Sequence, residues 1–141
     1  MVAAPLDPDG RFAPEESMPG PDVLLTLPCG SAFVRLARLN AAGLAADLAF
    51  SVDEIEDLRI AVDELFFLAT DGALGPTIQL SYTLLDDGLA VEGSVYAGST
   101  ASEPEADDLV REILAVAVDE WTFTIAEGTR RFRLLKRRHS D

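Results

Sequence analysis

The sequence predicts a two-layer α/β sandwich in which a mixed, mostly antiparallel sheet is covered on one face by helices. Two stretches alternate apolar with polar residues and are each broken by a turn signal, Asp87-Gly88 and Glu127-Gly128, so each reads as a β-hairpin. Three further stretches repeat apolar residues at helical spacing. The resulting order is strand, helix, helix, hairpin, helix, hairpin. Strands that follow one another directly must pair antiparallel, which leaves the helices to cover a single face.

Met1 to Pro21 is rich in Pro, Gly and acidic residues and has little to bury, which predicts a flexible tail over residues 1–21. A single domain is expected over 22–137, with a basic tail end at 138–141. Val23 to Leu27 is a β-favouring run that Pro28 ends. Ser31 is the expected N-cap of a first helix that carries Phe33, Leu36, Ala37, Leu44 and Leu48 near one face. Ser51-Val52-Asp53-Glu54 fits a capping box, which starts a second helix. Its buried stripe is Ile55, Leu58, Val62, Leu65, Phe66 and Ala69, and Gly72 with Gly75-Pro76 stops it.

In the first hairpin Ile78, Leu80, Tyr82 and Leu84 alternate with Gln79, Ser81 and Thr83. Leu89, Val91 and Val95 then alternate with Glu92 and Ser94. A loop from about Gly98 to Pro104 leads to a third helix bearing Leu109, Ile113, Val116 and Ala117. Trp121, Phe123 and Ile125, followed by Phe132 and Leu134, form the last hairpin.

A chain of 141 residues suits one ordinary domain with one core. Its formal net charge of −14 opposes association with phosphate backbones, so nucleic acid is not an expected partner. Arg130, Arg131, Arg133, Lys136, Arg137 and Arg138 crowd into the last segment, where a terminal strand with a frayed basic end is the expectation. Cys29 is the one cysteine, which rules out an intrachain disulfide and gives no cysteine metal site; it reads as a small residue at a strand end. His139 has no metal-ligand companions nearby in the sequence. No apolar run approaches the roughly 18 residues of a membrane span, and no signal-peptide pattern opens the chain. A soluble cytoplasmic protein is expected.

The order of elements and the run from Phe50 to Glu64, above all Glu56-Asp57-Leu58-Arg59-Ile60-Ala61-Val62-Asp63-Glu64, resemble the anti-sigma-factor and serine-protein-kinase branch of the histidine-kinase-like ATPases. Leu36-Ala37-Arg38 and Gly43-Leu44-Ala45-Ala46 in the preceding helix strengthen the resemblance. It implies a general base at Glu64, beside Asp63, and a ligand for Mg²⁺ and the ATP phosphates four residues later. That position holds Leu68, which has no oxygen to offer a hard cation. The adenine-reading motif of the family falls on Tyr96-Ala97-Gly98-Ser99-Thr100, where only Gly98 fits. The glycine-rich lid is replaced by Ser102-Glu103-Pro104-Glu105-Ala106-Asp107-Asp108, whose charge opposes phosphate.

The resemblance therefore implies an eroded ATP site, with no cofactor expected and ATP with Mg²⁺ required only by a kinase. Phe66, Phe67 and Leu68 are expected to fill the vacated space. The implied partners are an RNA polymerase sigma factor, an anti-sigma antagonist and a second copy in a homodimer, with Arg35 and Arg38 of the first helix as partner-binding positions. The other readings are an active serine-protein kinase and a dimeric scaffold or ligand-sensing domain.

Overall fold

The protein's structure, a computed structural model, describes residues 20–98, 104 and 106–139. The tail expected over residues 1–21 thus lies almost wholly outside the described residues, as do Ser140 and Asp141.

Strand β1 runs over Val23–Pro28, and a single 3-10 turn over Ser31–Phe33 leads into helix α1, Val34–Asp47. Ser31 does not cap it: Gly30 precedes the turn, Phe33 precedes α1, and neither supplies a side-chain cap. The inward face of α1 also differs from the one its large residues suggested. Val34, Ala37, Ala41 and Ala45 are buried, while Phe33 and Leu36 are exposed and Leu44 and Leu48 are only partly covered. A row of alanines at helical spacing lets α1 lie close to its neighbours, and the Tyr82 hydroxyl reaches the Ala37 carbonyl, donating at 3.1 Å.

Helix α2, Val52–Thr70, begins with the expected capping box. The Ser51 hydroxyl accepts from the Glu54 amide at 3.1 Å, and the Glu54 carboxylate accepts from the Ser51 amide at 2.8 Å. Leu58, Val62, Leu65, Phe66 and Ala69 are buried as expected, together with Ala61. Strands β2, Thr77–Leu84, and β3, Gly88–Tyr96, form the first hairpin. Helix α3, Asp108–Ala117, is capped by Asp107, whose carboxylate accepts from the Val110 amide at 2.8 Å. Only Leu114 and Ala117 of α3 are fully buried, so Leu109 and Val116 depart from the expected stripe.

Strands β4, Glu120–Ala126, and β5, Thr129–Arg137, complete a sheet of order β1-β2-β3-β5-β4. Every neighbouring pair is antiparallel, so the sheet is antiparallel throughout rather than mixed. Helix α3 carries the chain to the edge strand β4, and the turn at Glu127-Gly128, both left-handed with φ of 53° and 79°, returns β5 into the gap beside β3. Gly93 sits opposite Phe132 in this pairing, and a Cβ there would stand 2.2 Å from the Phe132 ring, which lies across the glycine.

None of the three helices has a basic residue in its last turn, and the end of the chain supplies the missing cations. Arg138 donates to the Leu48 carbonyl at 2.6 Å at the end of α1. Arg130 donates to Ala69 at 3.0 Å and Asp71 at 2.6 Å at the end of α2. Lys136 donates to Ala117 at 2.8 Å at the end of α3. Each places a positive charge where carbonyls lack partners and the helix dipole is negative. Arg130 and Lys136 are buried. Arg138 and His139, expected in a loose end, are both held: the His139 amide donates to Glu54 at 2.7 Å, and its ring lies 3.1 Å from Asp119.

Candidate functional site

On α2, Glu64, Phe67 and Leu68 open onto a cavity of about 430 Å³. Cys29 and Ser31, from the connection between β1 and α1, also line it. Thr70, Asp71 and Gly72 at the end of α2 and Val110 of α3 complete the lining of this open space. The i and i+4 spacing of Glu64 and Leu68 puts both on one face of the helix, toward this space. The carboxylates of Glu64 and Asp71 are its charged groups, and no Lys or Arg stands among the described lining residues. Thr70 turns its hydroxyl back to donate to the Phe66 carbonyl at 2.8 Å. Burial pushes the Cys29 thiol up, so it is a poor nucleophile.

The other positions singled out in the sequence disperse. Asp63 neighbours Glu64 in the chain but points to α1, where Arg38 donates to it at 2.9 Å. The two carboxylates therefore serve different faces, because consecutive helical residues are turned by about 100°. Arg38 is thus engaged inside the molecule, whereas Arg35 is exposed on the outer side of α1. Tyr96 ends β3 with an exposed side chain, and its carbonyl accepts from the Gly75 amide at 2.7 Å. Gly98 has φ of 95°, and a Cβ there would lie 2.6 Å from Leu74 Cδ1, so the Leu74 side chain occupies the space beside it. Neither Tyr96 nor Gly98 lines the cavity. Ser99, Thr100, Ser102, Glu103 and Glu105 lie outside the described residues.

Sequence reasoning did not bring Cys29, Thr70, Asp71 and Val110 together, since no periodicity links residues so far apart in the chain. Among the described residues no cluster of three His, Cys, Asp or Glu could hold a metal ion, and no helix is long and apolar enough to cross a membrane.

No family model matches the chain. A stretch of 69 residues, 48% of the chain, is 38% identical to the serine-protein kinase RsbW of Halalkalibacterium halodurans, and the match spans 43% of that protein's length. The fold is similar to that in the crystal structure of the RsbU and RsbW domains of Rv1364c from Mycobacterium tuberculosis. There the TM-score is 0.63 at 16% identity, over 84% of this chain and 33% of that one. The match to the serine-protein kinase thus covers less than half of either chain, and the likeness to the solved domains is one of fold.

Proposed function

We propose that this chain is an anti-sigma-like transcription regulator that acts by binding protein, without turning over ATP. The supporting observation is the lining of the cavity beside Glu64. A magnesium-bound triphosphate needs oxygen ligands for the metal and positive or N–H groups for the phosphates. Here Leu68 supplies no oxygen, Glu64 and Asp71 repel phosphate, and no described cation lines the space. The residues present do not fit that ligand, and Glu64 as a base would have no placed phosphoryl group to act on.

In this reading the partner is an RNA polymerase sigma factor, bound in the cytoplasm by a homodimer and released by an anti-sigma antagonist. The contact face is the outer side of α1 with its neighbouring loops, where Arg35 stands beside exposed Leu36 and Leu39. An acidic chain attracts a basic partner surface through steering more than through affinity.

Two measurements test it. Calorimetric titration with ATP and Mg²⁺ is expected to give no saturable binding, and capture with a tagged copy is expected to retain a sigma subunit, less so for Arg35→Ala. Saturable ATP binding would favour the kinase reading, which the 38% identity to a serine-protein kinase and the position of Glu64 on the cavity support. No sigma subunit across several growth conditions would leave a scaffold or sensor.

A further inference from the structure

Helix α3 carries more apolar surface than the fold covers. Leu109, Ile113 and Val116 recur at helical spacing, yet Leu109 is 64% and Val116 81% exposed, while Leu114 and Ala117 face the core. With Ile60 of α2, itself 43% exposed, they line a groove of about 310 Å³ between α2 and α3. Asp57 and Glu112 form its polar rim. One turn earlier on each helix, Asp53 and Asp108 extend the two carboxylate rows. The nearby cations are engaged. Lys136 approaches Asp57 at 3.7 Å but is buried and donates to the Ala117 carbonyl, and Arg59 is held by Glu56 at 3.1 Å.

An apolar row between charged rims marks a protein interaction surface, and here the charge selects the occupant. A second copy related by a two-fold axis would bring the same carboxylates together. The chain's own residues 1–19 carry Asp7, Asp9, Glu15 and Glu16 against Arg11, so they are repelled as well. We propose that this groove docks an amphipathic helical segment of a partner protein. Its apolar face enters between Ile60, Leu109, Ile113 and Val116, and its flanking Lys or Arg side chains pair with Asp57 and Glu112. The groove lies on the α3 side of α2, apart from the outer face of α1, and does not rest on the sigma-factor assignment.

The test uses a fluorescein-labelled synthetic peptide with leucines at helical spacing and lysines elsewhere, titrated with the full chain and read by fluorescence anisotropy. A second peptide replaces every lysine by glutamate. The lysine peptide is expected to bind saturably and the glutamate peptide about tenfold more weakly or not at all. Leu109→Gln and Val116→Gln, both exposed and charge-neutral changes, should each weaken the lysine peptide about tenfold, about 1.4 kcal/mol, while Leu24→Gln on the edge strand leaves it unchanged. Equal affinity for the unmodified chain and both groove variants would reduce the attraction to net charge and overturn the proposal, as would absence of saturable binding. Self-association that Val116→Gln abolishes would overturn it too, by making a second copy the occupant.

Discussion

Arg38 of α1 donates to Asp63 of α2 across 2.9 Å, and the pair joins the first two helices. Both side chains are largely covered, at 27% and 29% exposure. The contact is single-pronged: Arg38 Nε and Asp63 Oδ1 are buried without a hydrogen-bond partner among the described residues. Removing one residue strands the other's charge, whereas removing both removes the burden of desolvation. Arg38→Ala and Asp63→Ala are each expected to cost about 1 kcal/mol, and the double variant less than their sum. Urea denaturation of the four proteins measures the coupling. Captured sigma subunit, corrected for folded protein, should fall for Arg35→Ala and hold for Arg38→Ala.

The second prediction concerns β5. Charge-assisted bonds to buried helix ends contribute more than exposed pairs, so Arg130→Met and Lys136→Met should each lose about 2 kcal/mol in urea denaturation. Arg131, which alternates with Arg130 and faces solvent, is the control, and Arg131→Met should stay within about 0.5 kcal/mol. Equal losses at all three would mean that the positive charge of the strand acts collectively rather than through the two helix ends that Arg130 and Lys136 reach.

These two sites mark what the sequence could and could not convey. Element order, both hairpin turns and the capping box at Ser51 were legible because each is encoded within a few residues. The i and i+4 relation of Glu64 and Leu68 was legible for the same reason. The buried face of α1 was misread because its alanines carry little hydrophobic signal beside Phe33 and Leu36, although small side chains suit close helix packing. The roles of Arg130, Lys136 and Arg138 depend on bonds spanning between 19 and 90 positions, which no local pattern announces. Leu109 and Val116 met the rule for a buried stripe and lie outside, because amphipathicity does not say what covers a face.

The third prediction is a pH dependence centred on Glu54. Burial alone would raise its carboxyl, but the His139 and Ser51 amides, the Ser51 hydroxyl and the charge of Lys136 together hold it below its ordinary value of 4.5. A carboxylate lowered in the folded state contributes stability above the unfolded value and loses it as pH falls through the folded value. Glu54→Gln keeps an acceptor in the capping box and removes the charge. It should be less stable than the unmodified chain at about pH 7, with the gap narrowing as pH falls below the ordinary value of 4.5. A gap that stays constant with pH would assign the loss to packing.

Tyr82 gives the opposite sign. Its hydroxyl is buried in the middle of β2 and donates to the Ala37 carbonyl, and burial, partly offset by a hydrogen bond with Asn40, pushes it up to about 12 from an ordinary 10. A phenol raised in the folded state keeps its proton there while the unfolded chain begins to ionise. Its contribution is complete below pH 10 and is lost as pH rises toward about 12. Tyr82→Phe removes one hydrogen bond in a site that still accepts the ring, and should cost about 1 kcal/mol near neutral pH. The same change should remove this part of the alkaline loss, so the two stability curves converge above pH 10. Parallel curves across that range, measured by urea denaturation, would show that the hydroxyl is not sealed between α1 and the sheet. The alanine row that brings α1 so close would then lack its purpose in excluding water from Ala37.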